Sequence, residues 1–173
     1  MATLMHDVYI GLGSNLGNPS VQLFEAVNTI RELPQSTYIK DSGMYLSKPM
    51  QLVDDKTEQA DYYNAVVLIE TQLEPVQLLD YLQAIENNQG RTRSKRWAAR
   101  TLDLDILLFG DLVIKSERLQ IPHPGLCERE FVLYPLQNIK RELDIPGHGK
   151  LTDCVQKCPR NDLQYLGYIE EVK

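Results

Sequence analysis

The chain has 173 residues, of which 43% are hydrophobic and 24% are charged. This composition is typical of a soluble globular protein and excludes a disordered tail, a collagen and a coiled coil. No run of about 18 apolar residues occurs, which predicts no membrane span, and the N-terminus lacks the basic and apolar regions of a secretory signal. The length predicts a single domain, residues 1–173.

The cysteines are an odd and sparse set, Cys127, Cys154 and Cys158. Such a set does not suit a disulfide framework, and it favours a reducing cytoplasm as the location of the protein. Cys154 and Cys158 could share a helix face with His148 nearby, but a zinc site needs four ligands at tighter spacing. We therefore interpret the cysteines as structural.

Charge is distributed unevenly along the chain. The 24 acidic and 18 basic residues give a net charge of −6, whereas a protein that binds a polyanion is usually basic. Residues 91–100, RTRSKRWAAR, nevertheless hold five basic side chains and no acidic one, and we call them the basic segment. A concentrated cationic segment on an acidic protein favours a small, highly charged anion as ligand.

Apolar periodicity and turn residues predict the main elements in chain order. They are a strand over 8–12, a helix from Pro19 to near Pro34, strands over 38–46 and 62–70, a helix from Pro75, and a strand over 102–109. The second helix carries its apolar stripe at helical spacing, on Val76, Leu79, Leu82 and Ile85. Residues 47–61 form a long polar loop, whose length suggests a functional role.

Shorter elements follow the last of these strands. A turn at Gly110-Asp111 leads to a short return strand, 125–139 is irregular to helical, and a short helix follows Thr152. The order β-α-β-β-α-β is that of a ferredoxin-like fold. We therefore expect an α/β (α+β) domain with a mostly antiparallel sheet and helices on both faces, because neither long helix can bury its apolar stripe alone.

Two acidic residues occur at strand spacing directly after the basic segment. The period of two places Asp103 and Asp105 on one strand face, about 7 Å apart at Cα, while Leu102, Leu104, Ile106 and Leu108 are expected to point the other way into the core. For D-x-D alone, a solvated acidic face is the favoured interpretation. Next to a cationic segment, the pair favours Mg²⁺ beside a phosphate site, since Mg²⁺ takes oxygen ligands and completes its shell with water and phosphate.

Each arginine of the basic segment can hold a phosphate group bidentately. The alternatives are a solvated loop, or a nucleic-acid patch with Trp97 as a stacking residue. The segment is short and the protein acidic, so a nucleotide ranks well above nucleic acid as its ligand.

Other polar positions have both functional and structural interpretations. Tyr62 and Asn64 share a strand face and suit a flat, hydrogen-bonding heterocycle, although such a pair is more often packing. His123 is either a phosphate contact or a turn residue between two prolines. The glycines of 11–17 are spaced one residue too widely for a dinucleotide fingerprint, so we interpret this stretch as a strand-to-helix turn.

Residues 96–106, RWAARTLDLDI, closely resemble the signature of the 6-hydroxymethyl-7,8-dihydropterin pyrophosphokinase family. The resemblance covers nearly the whole chain. It extends to these further motifs: Gly13-Ser-Asn15, Asp61-Tyr-Tyr-Asn64, Glu86 with Gln89-Gly-Arg91, Ile121-Pro-His123, and Arg129 with Phe131.

The resemblance implies transfer of an intact pyrophosphate from ATP to the hydroxymethyl oxygen of 6-hydroxymethyl-7,8-dihydropterin, which leaves AMP. It implies two Mg²⁺ ions held by Asp103 and Asp105, catalysis assisted by Arg91 and Arg100, and mobile loops that close over both substrates. The implied ATP contacts are Gln83, Glu86, Arg93, Arg96, Trp97, Arg100, Ile106, Arg118, His123 and Arg129. The implied pterin contacts are Ser47, Lys48, Met50, Tyr62, Asn64, Trp97 and Phe131.

The sequence departs from the family pattern at a few positions. Ala99 and Lys48 stand where the family often has Pro, and the stretch between Arg93 and Arg96 is one residue short. Beyond its two substrates we expect no nucleic-acid or membrane partner, and we expect a monomer. The rival functions are another Mg²⁺-dependent nucleotidyl or phosphoryl transferase, and a module that binds single-stranded nucleic acid.

Overall fold

The computed structural model describes residues 4–49, 59–89 and 101–169. Proline begins both long helices, since its missing N–H needs no partner at the first position of a helix. The helices are α1 Pro19–Arg31, α2 Pro75–Asn88, α3 Glu130–Ile139 and α4 Leu151–Lys157, with a 3₁₀ turn at Leu126–Glu128. The strands are β1 His6–Ser14, β2 Ser36–Asp41, β3 Met44–Ser47, β4 Tyr62–Thr71, β5 Asp103–Phe109, β6 Ile114–Lys115, β7 Gln120–Ile121, β8 Asp144–Ile145, β9 Gly149–Lys150 and β10 Gln164–Gly167.

The main sheet has the strand order β10-β3-β4-β1-β5, and β2 also pairs with β4. Every pairing in it is antiparallel. α1 connects β1 to strands on the far side of β4, and α2 connects β4 to β5 on the far side of β1. These two interleaved crossovers are those of a ferredoxin-like fold, so the predicted fold class is confirmed.

The predicted strand over 38–46 is two strands. Gly43 has φ of 75°, a left-handed conformation that interrupts the extended chain. Beside it, the Val66 N–H donates to Ser42 Oγ at 2.9 Å. As a result β2 pairs with the distal half of β4, and β3 pairs with its first residues.

The two faces of the sheet carry different helices. Val8, Ile10 and Leu12 of β1 pack with α1 and α2 on what we call the closed face. Residues 9, 11 and 13 alternate with them on the open face, where α3 and α4 pack over part of the sheet. The apolar stripe predicted for α2 was wrong at Val76, which is 46% exposed. The buried apolar residues of that helix are Leu78, Leu82 and Ile85.

A β-bulge interrupts the pairing of β1 with β5. Tyr9 lies opposite Leu108 and Ile10 lies opposite Ile106, so Leu107 is an extra residue in β5. Both Leu107 and Leu108 consequently pack in the open-face cluster with α3 and α4. The prediction that Leu108 shares a core with Leu102, Leu104 and Ile106 was therefore wrong.

The short strand after the Gly110 turn also differs from its prediction as a return strand. β6 pairs with β7 in a separate two-stranded sheet rather than with β5. No helix in residues 4–49, 59–89 or 101–169 is long and apolar enough to cross a membrane.

Two cysteines meet inside the open-face cluster. Cys127 Sγ lies 3.1 Å from Cys154 Sγ, and both are free thiols, as is Cys158. Burial and the neighbouring Cys154 raise the pKa of Cys127 to about 12, which keeps this thiol protonated. The pair packs as small apolar groups, and the described ranges hold no group of three or more metal-ligating side chains.

Candidate active site

A cavity of about 390 Å³ occupies the part of the open face that α3 and α4 leave uncovered. Its floor comes from β1, β4 and β5, and its walls come from the start of the loop after β3, from 123–125 and from the beginning of α3. The lining residues are Gly11, Leu12, Gly13, Ser47, Lys48, Tyr62, Asn64, Ala65, Val66, Asp103, Asp105, Leu107, His123, Pro124, Gly125, Arg129, Phe131 and Val132.

Two glycines of β1 lie in the floor of the cavity. Gly13 lies opposite both Asn64 of β4 and Asp103 of β5, and Gly11 lies opposite Asp105. Because neighbouring strands are about 4.8 Å apart, Asn64 and Asp103 stand about 10 Å apart across Gly13. An amide and a carboxylate therefore flank a strip that has no side chain, wide enough to admit a flat ligand.

The two aspartates lie on the face that the strand period predicts, and His123 faces the second of them. His123 Nε2 is 3.9 Å from Asp105 Oδ2. The Gly125 N–H donates to His123 Nδ1 at 3.1 Å. Burial, then the positive charge of Arg129, lower the pKa of His123 below its usual value. A neutral imidazole whose Nδ1 accepts a hydrogen bond carries its proton on Nε2, so His123 presents a donor to the aspartate side of the cavity.

Asn64 is a buried amide with a fixed orientation. Its Nδ2 donates to Ser47 Oγ at 2.7 Å and approaches the carbonyl oxygens of Tyr45 and Tyr62 at 3.4 and 3.3 Å. With the NH₂ group directed to these acceptors, Oδ1 lies on the side of Gly13, 3.6 Å from where a Cβ of that glycine would be. Asn64 therefore offers a hydrogen-bond acceptor at the cavity floor.

Arg129 reaches the cavity by packing across a glycine. A Cβ on Gly125 would lie 2.5 Å from Arg129 Nε, so any side chain there would displace the guanidinium. Arg129 Cζ also lies 5.8 Å from the ring centroid of Phe131, within range of a cation–π interaction. The 3₁₀ turn at Leu126–Glu128 connects Gly125 to Arg129. His123, Arg129 and Phe131 thus lie along one wall of the cavity.

Some candidates lie away from this cavity. Arg118 forms an ion pair with Asp80 and donates to Gln83 Oε1 at 3.2 Å, on the exposed side of α2. Glu86 is 1% exposed, and its Oε2 accepts from the Leu104 N–H at 2.8 Å. Ile106 is buried in the closed face. ATP contacts at Gln83, Glu86, Ile106 and Arg118 therefore stay predictions.

Other candidates lie outside the described residues, and they too stay predictions. These are Met50, Arg91, Arg93, Arg96, Trp97 and Arg100. The sequence interpretation also missed three glycines of the site, Gly11, Gly13 and Gly125. The strand period could have predicted the first two, because residues 9, 11 and 13 share one face of β1 and the last two of them are glycines.

Comparison with known proteins identifies relatives over most of the chain. The model of the family described as 7,8-dihydro-6-hydroxymethylpterin-pyrophosphokinase (HPPK) matches residues 9–141. A Haemophilus influenzae protein named 2-amino-4-hydroxy-6-hydroxymethyldihydropteridine pyrophosphokinase is 48% identical over 88% of this chain and 93% of the relative. A Pseudomonas aeruginosa protein of the same name is 40% identical over 94% of this chain and 98% of the relative.

Solved structures agree on the fold. A crystal structure of wild-type Plasmodium falciparum HPPK-DHPS aligns with a TM-score of 0.68 over 90% of this chain. The chain spans only 45% of that longer protein, at 16% sequence identity. This likeness shows the fold alone.

Proposed function

This chain belongs to the 7,8-dihydro-6-hydroxymethylpterin-pyrophosphokinase family, and we propose that the open-face cavity is the site at which it carries out the family reaction. That reaction transfers pyrophosphate from ATP to the hydroxymethyl group of 6-hydroxymethyl-7,8-dihydropterin, in folate biosynthesis. The two substrates are thus a flat heterocycle and a polyanion. A cavity that serves both must offer polar groups of opposite kinds at its two ends.

The main support for this proposal is that Asp103, Gly13 and Asn64 lie side by side on three neighbouring strands. At one end, Asn64 directs an acceptor at the floor beside Tyr62, which suits the N–H groups at the edge of a pterin. At the other end, Asp103 and Asp105 stand beside His123 and Arg129, which suits a polyphosphate with its cations. The glycine between them leaves space for the hydroxymethyl group to meet the phosphate chain.

The pterin site would use the residues around Asn64. Tyr62 and Phe131 would pack on the two ring faces, Ser47 would keep the Asn64 amide oriented, and Lys48 would line the entrance. Met50 and Trp97 remain predicted contacts. Stacking on aromatic faces and hydrogen bonds at one edge together select a flat heterocycle.

Asp103 and Asp105 fit Mg²⁺, because hard carboxylate oxygens on one strand face beside an open cavity match its preference for oxygen, water and phosphate ligands. We propose that they hold two ions, which would neutralise charge on the phosphates. The pterin hydroxymethyl oxygen attacks the β-phosphorus of ATP, the bond from that phosphorus to the α-phosphate bridging oxygen breaks, and AMP leaves. The hydroxyl proton is released to solvent or to an aspartate.

The arginines and His123 would stabilise the phosphate charge. Arg91 and Arg100 are predicted to act on charge that develops during transfer, and Arg129 on the bound phosphates. His123 carries its proton on Nε2 and would donate a hydrogen bond from this N–H to a phosphate oxygen, so we propose it as a hydrogen-bond donor rather than the general base. We further propose that the chain works as a single-domain monomer in the cytoplasm, where adjacent free thiols such as those of Cys127 and Cys154 persist.

Product analysis tests the proposed function. The protein is incubated with ATP, Mg²⁺ and 6-hydroxymethyl-7,8-dihydropterin, and the nucleotide product is identified by chromatography. We expect AMP and the pterin diphosphate. ADP would identify a simple kinase, and free pyrophosphate a nucleotidyltransferase. Steep salt-dependent binding of an oligonucleotide without binding of ATP would identify a nucleic-acid module.

A further inference from the structure

Two buried polar residues directly follow the glycine floor without lining the cavity. Ser14 is 0% exposed and Asn15 is 4% exposed, and burial of such groups is costly unless they are hydrogen-bonded. Ser14 Oγ donates to the Thr101 carbonyl oxygen. Asn15 Nδ2 donates to the Ala60 carbonyl oxygen at 3.1 Å and to Gln59 Oε1 at 3.3 Å.

The partners of these two side chains precede the two halves of the site. Thr101 is two residues before Asp103, where β5 begins, and Ala60 is two residues before Tyr62, where β4 begins. The β-ladder itself ends at Gly13 opposite Asp103 on one side and at Ser14 opposite Tyr63 on the other. Ser14 and Asn15 therefore continue the pairing of β1 to both neighbours after its backbone pairing has ended.

Because of this placement, Ser14 and Asn15 would each affect the binding of a different substrate. The Ser14 bond fixes the chain entering β5 and so the direction of Asp103. The Asn15 bonds fix the chain entering β4 and so the position of Tyr62. Ser14 is the last residue of β1 and Asn15 directly follows it, so two consecutive residues connect to the chain on both sides of the site.

We propose that Ser14 and Asn15 are positioning residues, Ser14 for the ATP and metal half of the site and Asn15 for the pterin half. This inference rests on the proposed function for its assignment of the halves. Neither residue is proposed to touch a substrate. Each holds a backbone carbonyl at the entrance to a strand, and the strand presents the side chain that makes the contact.

The test measures the two substrates separately by calorimetry, with 6-hydroxymethyl-7,8-dihydropterin alone and with ATP and Mg²⁺ alone. Asn15→Ala is expected to weaken pterin binding roughly tenfold and to leave ATP binding within about twofold, since it removes the hydrogen bonds to Ala60 and Gln59 at the entrance to β4. Ser14→Ala is expected to do the reverse. Ser14→Thr, which keeps the hydroxyl, is expected to restore ATP binding.

Asn18→Ala is the matched control, because Asn18 is an exposed residue of the same turn. It is expected to leave both affinities unchanged. If Asn15→Ala does not fold, Asn15→Asp replaces it, since it keeps the shape and removes both N–H donors. Equal weakening of both substrates by each variant, or a lower melting temperature with unchanged affinities, would overturn the proposal. Absence of AMP formation by the unaltered protein would instead count against the proposed function.

Discussion

The closed and open faces of the sheet share the same strands but differ in what β1 supplies to them. Towards α1 and α2 it presents Val8, Ile10 and Leu12, all buried in an apolar cluster. Towards the open face it presents Tyr9, which is buried, and then Gly11 and Gly13, which line a cavity. One strand thus completes an apolar core on one side, whereas two of its residues on the other side have no side chain.

The difference predicts that stability and binding depend on different faces of one sheet. Apolar burial on the closed face stabilises the fold, so the open face can hold two like-charged carboxylates and a cavity. Asp103 and Asp105 carry like charges on one strand face, so a cation beside them would reduce their mutual repulsion. The protein is therefore expected to lose activity through substitutions on one face and stability through substitutions on the other.

The largest effect is expected from the aspartates of the open face. Asp103→Asn or Asp105→Asn removes a charged metal ligand while keeping shape, so the rate should fall by roughly three orders of magnitude or more. The Mg²⁺ concentration for half-maximal rate should rise. The melting temperature without metal should change little, because both side chains line a cavity and are not packed in an apolar cluster. A variant that melts much earlier with normal Mg²⁺ dependence would make these aspartates structural.

The matching substitution on the closed face is Leu82→Ala. Leu82 is fully buried on α2, so its truncation should lower the free energy of unfolding by about 2–5 kcal/mol. Affinities for both substrates, measured below the melting transition, should not change. Val76→Ala on the exposed side of the same helix is the control and should change stability by less than about 0.5 kcal/mol. Loss of binding by Leu82→Ala in its folded state would contradict the separation of the faces.

Asn64→Ala tests whether the two halves of the open-face cavity bind different substrates. It leaves heterocycle donors unpaired and should cost about 1–3 kcal/mol of pterin binding, with little change for ATP. Asn138→Ala is the matched control, since Asn138 donates to the Ser42 carbonyl oxygen and to Tyr45 Oη instead, at 2.8 and 2.9 Å. It should affect the melting temperature more than pterin affinity. If calorimetry shows that Asn64→Ala weakens ATP binding and leaves pterin binding unchanged, our assignment of substrates to the two halves of the cavity would be reversed.

The smallest effect is expected from Gly13→Ala. The added Cβ would lie 3.6 Å from Asn64 Oδ1 and 3.8 Å from Tyr62 Cδ1, ordinary contact distances. The fold should therefore be kept or be stabilised by up to about 1 kcal/mol, because alanine suits a strand better than glycine. Pterin affinity should fall by less than about tenfold because the methyl group occupies the cavity floor. Unchanged pterin affinity, measured by calorimetry, would place the ring elsewhere.

Much of the framework follows from local periodicity. Alternation in β1 and the spacing of Asp103 and Asp105 are properties of a strand, and both predicted faces agree with the structure. The sequence predicts Asp103, Asp105, Asn64 and His123 as candidate site residues, but their meeting in one cavity depends on strand order. Their roles towards substrates remain predictions.

The errors arise where long-range contacts decide the conformation. A bulge has no signature in DLDILLF, so Leu108 was given to the wrong face. Gly43 divides a stretch whose residues otherwise favour a strand. The hydrogen bond from the Leu104 N–H to the buried Glu86 carboxylate, 2.8 Å long, joins α2 to β5 and also could not be predicted from local sequence, while the ATP contact at Glu86 stays a prediction.

The extra residue of β5 also marks where the cavity stops. Gly11 has Leu107 above it, since a Cβ there would lie 3.3 Å from Leu107 Cδ1. A chain one residue shorter at this point would keep Asp105 opposite Gly11 and Leu108 opposite Tyr9, yet it would lose the side chain between the polar cavity and the apolar cluster under α3. This single leucine therefore lies between the candidate active site and the apolar cluster of the open face.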